Sequence, residues 1–171
     1  YKPNGKQEAD FPKVGIELKQ TCIDLKKNGE YTAGERLSIT NISYRDPIEE
    51  DFYKSHVWEK MRLILLVHYL RDKSKGRLDY EMLYVNLFTP PKKDLDVIID
   101  DYNKINNKLK AGLAHELSES DTLYLGACTK GATALKSMQP QYYGDKRLAK
   151  KRNFCFKRSY MNYILQTYVL N

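Results

Sequence analysis

The sequence predicts an α/β domain, a central mixed sheet flanked by helices, and three observations predict it. Short runs rich in β-branched and apolar residues recur along the chain, one long segment carries a helical period instead, and the two kinds of segment interleave without an internal repeat. Residues 15–22 read as the first strand. Residues 37–43 alternate loosely and read as its hairpin partner, joined through the turn Lys26-Lys-Asn-Gly-Glu30, in which Asn28-Gly29 is a strong turn signal. Residues 49–61 begin acidic and end basic, which suits the dipole of a helix. Residues 62–70 read as a buried strand, and residues 77–88 as another, ended by Pro90-Pro91. In residues 94–113, Leu95, Ile98, Ile99, Tyr102, Ile105 and Leu109 follow the spacing of an amphipathic helix, with Gly112 as its stop. Short strands follow at 123–128 and 152–156, with a loop at 129–133. Residues 159–169 close the chain as a helix that turns Tyr160, Tyr163 and Ile164 inward.

A length of 171 residues suits one domain, and a hydrophobic fraction of 42% suits a soluble globular one. The absence of any 18-residue apolar stretch argues against a membrane span, and no signal peptide is evident; the expected setting is intracellular. The chain opens at Tyr1 without a methionine and reads as a fragment lacking upstream residues. Cys22, Cys128 and Cys155 are odd in number and unpaired by spacing, so neither a disulfide framework nor a zinc site is indicated. His56, His68 and His115 read as structural, with His68 a hydrogen-bonded core residue; no spacing supports a His–Asp general base.

Net charge is +7, and its distribution says more than its size. Residues 129–171 hold nine Lys or Arg against the single acid Asp145, whereas residues 1–128 hold 20 bases and 21 acids. A basic block of this kind, interleaved with Phe154, Phe156, Tyr160 and Tyr163, is the footprint of a polyanion partner displayed on a folded scaffold, and nucleic acid fits better than a membrane. The chemistry lies at the other end. If residues 15–19 are a strand, Glu17 and Lys19 share a face, and Asp10 lies seven residues upstream. Two carboxylates beside an ammonium are what a magnesium-dependent phosphodiesterase needs: the acids hold a hard cation against the phosphate and the lysine acts on the attacking water. Charged residues inside the apolar run Val14-Gly-Ile-Glu-Leu are costly to bury without partners, which separates this pattern from an ordinary surface ion pair.

Asp10-x6-Glu17-x-Lys19 resembles the catalytic segment of the MutH mismatch-repair endonucleases and of the related GATC-cutting restriction enzymes of the Sau-three-A type. Ser55-His-Val-Trp-Glu-Lys60 resembles the helix that carries an auxiliary active-site lysine. Gly112-Leu-Ala-His-Glu-Leu-Ser-Glu119, Tyr124-Leu-Gly-Ala-Cys-Thr-Lys-Gly-Ala132 and Phe154-Cys-Phe-Lys157 are similar to the Sau-type enzymes, so the resemblance spans nearly the whole chain. It implies a restriction-endonuclease-like fold, PD-(D/E)xK, with Mg2+ as cofactor and double-stranded DNA containing GATC as partner, cut 5′ of the G. Carried over, Asp10, Glu17 and the Leu18 carbonyl would bind metal, Lys19 would contact the nucleophilic water, and Lys60 would stand near the scissile phosphate. The loop of Cys128, Thr129, Lys130 and Gly131 would enter the major groove, with Lys130 reaching guanine. Cys155 would stand in the groove where MutH has a tyrosine, leaving room for a methylated adenine. Lys157 and Arg158 would contact phosphates, with Lys150, Lys151 and Arg152 in the same basic block. The family's further metal-site glutamate, on an upstream helix, has no counterpart in this sequence. The expectation is a type II restriction endonuclease of the bacterial cytoplasm, single-domain over 1–171, acting with a second nuclease-fold domain or second copy. The alternatives are a MutH-like mismatch-repair nickase and a catalytically inactive DNA-binding module of the same fold.

Overall fold

The structure is a computed structural model and describes residues 8–129 and 138–170. Along them run β1 (Glu17–Leu25), β2 (Tyr31–Ala33), β3 (Leu37–Asn41), α1 (His56–Met61), β4 (Ile64–Leu70), β5 (Met82–Phe88), α2 (Lys92–Lys110), β6 (Leu125–Thr129), β7 (Met138–Gln139), β8 (Ala149–Lys150), β9 (Arg152–Phe156) and α3 (Arg158–Ile164). The chain divides into two compact units. One comprises Tyr1–Leu37, Glu59–Pro90 and Lys157–Asn171; the other comprises Ser38–Trp58 and Pro91–Phe156.

The first unit is built on a mixed sheet of order β2-β1-β4-β5. β1 and β4 are parallel, with Glu17 opposite Ile64 and Ile23 opposite Leu70, and β2 and β5 run antiparallel to them. A parallel pair cannot be closed by a tight turn, so the chain must leave the sheet between these strands. The tight turn does occur at Asn28-Gly29, where Gly29 adopts φ 84° and Lys26 donates its N–H to the Glu30 carbonyl at 2.9 Å. The strand it delivers is β2, not the expected 37–43, because only the residues directly after so short a turn lie in register with β1. Period two puts Glu17, Lys19, Thr21 and Ile23 on the face that β4 lines with Ile64, Leu66 and His68. Ile23, Ile64 and Leu66 are core residues there. α3 continues into a π-helical turn, Leu165–Val169, and buries Tyr160, Met161, Ile164 and Leu165. Its Asn162 side chain accepts hydrogen bonds from the Thr32 hydroxyl and the Ala33 N–H of β2, at 2.9 and 3.1 Å.

His68 is in the core as expected, but it is not hydrogen-bonded: the residue is 1% exposed and neither ring nitrogen has a partner among the described residues. Burial alone pushes its pKa down from 6.5 to about 4, since the charged form has no compensating contact.

The second unit contains the sheet β3-β9-β6 and the ribbon β7-β8. β6 and β9 are antiparallel, from Leu125 opposite Phe156 to Thr129 opposite Arg152. α2 buries Ile98, Tyr102, Ile105 and Leu109, four of the six stripe residues its periodicity predicts; Leu95 and Ile99 are half-buried, and Asp94 and Asp101 are buried as well. Tyr102 packs edge-on to Phe52 at 5.3 Å and tilted against Phe154 at 5.6 Å. The expected helix at 49–61 is broken in two. Asp51 captures the Tyr53 N–H and starts a 3-10 turn at Phe52–Lys54, and the Ser55 hydroxyl then captures the Trp58 N–H and starts α1 afresh. Among the described residues, no helix is long and apolar enough to cross a membrane.

Candidate active site

Asp10 and Glu17 are brought together by a hairpin too small to be visible as secondary structure in the sequence. Phe11 donates its N–H to the Ile16 carbonyl at 2.8 Å, and Val14 and Ile16 donate theirs to the Phe11 carbonyl at 3.1 and 3.3 Å. Gly15 closes the loop at φ 66°, a backbone region that disfavours side chains, and a Cβ there would lie 2.3 Å from Nη2 of Arg62. This fold-back sets Asp10 against the first residues of β1. The Asp10 N–H donates to Glu17 Oε2 at 3.1 Å, and the Leu18 N–H donates to Asp10 Oδ2 at 3.1 Å.

Two ammonium groups complete the cluster. Lys19, two residues along β1 and so on the same face, places Nζ 2.8 Å from Glu17 Oε1. Lys60, on α1, donates from Nζ to Glu17 Oε2 at 3.0 Å and to the Glu8 carbonyl at 2.6 Å. Glu17 is 3% exposed and Lys60 7%. A carboxylate so far out of water requires compensating partners, and both oxygens of Glu17 have a cation. Lys60 is therefore not the solvated helix lysine that its sequence context alone would suggest. The Glu8 carbonyl had no signal in the sequence, because a main-chain oxygen carries none.

The donor set fits magnesium. Hard oxygens from one or two carboxylates suffice for an ion that keeps several of its waters, and the Lys60 ammonium already sits as a stand-in cation between a carbonyl and a carboxylate oxygen. Among the described residues, no group of three His, Cys, Asp or Glu could hold a metal, so side chains alone supply two acids.

The residues expected to touch DNA divide by exposure. Thr129, Lys150 and Lys151 are exposed, and Lys157 is half-buried. Arg152 is also half-buried; its guanidinium donates to the Ala127 carbonyl at 2.8 Å across the β6–β9 pair. Arg158 is exposed, yet its Nε donates to the Ala33 carbonyl at 2.7 Å. Cys128 and Cys155, expected in the groove, are buried, and the Cys155 thiol faces the Gly126 carbonyl with 0% of the residue exposed. A base contact from either cysteine would require the strand to move, because thiols at these positions of an antiparallel pair point into the unit. Lys130 and Gly131 lie outside the described residues.

A mixed sheet with flanking helices, carrying buried Glu17, half-buried Asp10 and two lysines around the start of β1, is a restriction-endonuclease-like α/β fold. The chain belongs to the MutH family: the family profile, DNA mismatch repair enzyme MutH, matches residues 1–101. It is also 37% identical over 171 residues to the Type II restriction enzyme Sau3AI of Staphylococcus aureus, an alignment that covers 99% of this chain. The chain spans 35% of the length of that relative.

Proposed function

We propose that this chain is the catalytic region of a magnesium-dependent, site-specific endonuclease that hydrolyses double-stranded DNA at GATC, 5′ of the G, in the manner of a type II restriction enzyme. The observation that carries the reading is the convergence of Asp10, Glu17, Lys19 and Lys60 within one unit. Asp10 and Glu17, with the Leu18 carbonyl, would hold the ion. The ion, when bound, would offset charge on the phosphate and favour ionisation of water. Lys19 would orient the attacking water and assist removal of its proton, and Lys60 would contribute positive charge at the scissile phosphate. The relatives' names support nuclease chemistry; the GATC site and the bond cut rest on the family resemblance.

Incubating the purified protein with GATC duplexes and with otherwise identical duplexes lacking GATC, with and without magnesium, tests the reading. Cleavage only of the GATC duplex, and only with magnesium, is expected. Cutting without added divalent metal in the presence of chelator would overturn the cofactor assignment. The match to the MutH profile favours one second reading, a nicking enzyme, which a supercoiled plasmid separates by yielding open circles in place of linear product.

A further inference from the structure

We propose that Lys60 is a displaceable occupant of the metal site: its ammonium holds the place of the divalent ion in the metal-free protein, and metal binding drives it off Glu17. The inference rests on the magnesium-dependent reading above.

Of the two lysines on Glu17, Lys60 is the more deeply buried and shares its oxygen with the Asp10 main chain. Oε2 accepts both the Lys60 ammonium and the Asp10 N–H, whereas Lys19 binds Oε1. An ion that takes Oε2 must displace the Lys60 ammonium. Formal charge points the same way. Asp10, Glu17, Lys19 and Lys60 sum to zero, and a divalent ion added to the intact cluster leaves an excess of two positive charges in a site with little solvent, where cation repulsion is poorly screened. Release of Lys60 halves that excess, and an incoming phosphate cancels the remainder. Beyond Glu17 the ammonium is held by the Glu8 carbonyl, a neutral acceptor. A lysine stem has four rotatable carbons, so the freed ammonium could swing toward the phosphate without motion of α1. One residue would thus stabilise the empty site and then serve the loaded one.

Calcium, titrated by calorimetry against the DNA-free protein, provides the first measurement. The Lys60→Met variant should bind calcium at least about fivefold more tightly than the wild type, the low end of ordinary coupling between two ligands, and Lys60→Gln, which keeps a donor for the Glu8 carbonyl, serves if Lys60→Met does not fold. The second measurement uses the wild type alone: acetylation footprinting by mass spectrometry should show Lys60 modified faster under saturating calcium, with the exposed Lys150 and Lys151 unchanged. Equal calcium affinity in wild type and variant, or unchanged Lys60 reactivity, would overturn the displacement and leave the metal site standing. Calcium binding that survives Glu17→Gln at wild-type affinity would overturn the metal site itself, and the displacement with it.

Discussion

Glu17 and Asp101 are both carboxylates almost wholly out of water, at 3% and 0% exposure, yet their partners differ in kind. Asp101, on α2 in the second unit, accepts the backbone N–H groups of Leu123, Tyr124 and Leu125 at 2.9, 2.6 and 2.9 Å. Those donors are fixed in the main chain where it enters β6. Glu17 is held by two lysine ammoniums and one N–H, and the ammoniums sit at the ends of flexible stems. A buried acid with fixed dipoles can only organise a fold. One with movable cations can exchange them for a metal. Burial alone therefore does not distinguish these two acids; the kind of counter-group does, and under the proposed function it is what would separate structure from chemistry.

The largest expected effect follows from the movable side. Lys19→Ala should lower the cleavage rate by about 10²- to 10⁴-fold, the usual worth of a positioned acid–base group, while a gel-shift assay in calcium shows GATC duplex binding nearly intact. Retained cutting would remove Lys19 from the chemistry and weaken the contrast with Asp101.

The fixed side predicts a stability effect. Asp101→Ala strands three backbone N–H groups, and should cost about 3–5 kcal/mol in urea unfolding, as for removal of one partner of a buried charged interaction. Asp101→Asn, which keeps one acceptor oxygen, should cost less. Calcium affinity should be unchanged in whatever fraction remains folded. A variant that lost calcium binding while keeping its stability would show that the two carboxylates are not of different kinds.

The sequence made Glu17 legible and Asp101 not. Glu17 stands out because it interrupts an apolar run and recurs with Lys19 at strand period. Asp101 lies in a helix already rich in acids, on a face that only tertiary packing turns inward, and its partners are main-chain groups that no residue name records. The same limit explains the elements. The α2 stripe and β9 were readable because period and composition agree, whereas the restriction-endonuclease-like architecture was readable only through the resemblance of the motifs to a known family. The split at Ser55 and the pairing of β1 with β2 were not, since both depend on which backbone donors are captured locally. The basic block is plain in the sequence as a run of charge, but which cations are anchored is not: Arg152 and Arg158 spend part of their guanidinium groups on the Ala127 and Ala33 carbonyls.

His68 extends the comparison to a buried group with no counter-group among the described residues. Unfolded, its imidazole takes up a proton near pH 6.5; folded, only near pH 4. Between those values the unfolded chain binds more protons, so folding stability should fall as pH drops from about 6.5 to 4, by at most about 1.4 kcal/mol per pH unit. Above pH 6.5 the residue adds no pH dependence. Urea unfolding at several pH values should show this component removed in His68→Phe, and an unaltered profile would assign the acid sensitivity to other groups.

The smallest expected effect tests exposed lysines against a likewise exposed arginine whose Nε is anchored. Lys150 and Lys151 are exposed, and no ion pair is seen for either among the described residues, so their charges are available to displace counterions from a duplex. Each phosphate contact adds about −0.9 to the slope of log affinity against log salt, so Lys150→Gln with Lys151→Gln should flatten that slope by up to about 1.8. The change should be the same on GATC and non-GATC duplexes, because a phosphate carries no sequence. Arg158→Gln should act differently. Its Nε is committed to the Ala33 carbonyl, so the substitution should lower stability by about 1 kcal/mol, whatever charge its remaining N–H groups offer to DNA. A double lysine variant that weakened GATC binding alone would make these residues base readers, and the line drawn between unanchored and anchored cations would then have to be redrawn around sequence recognition.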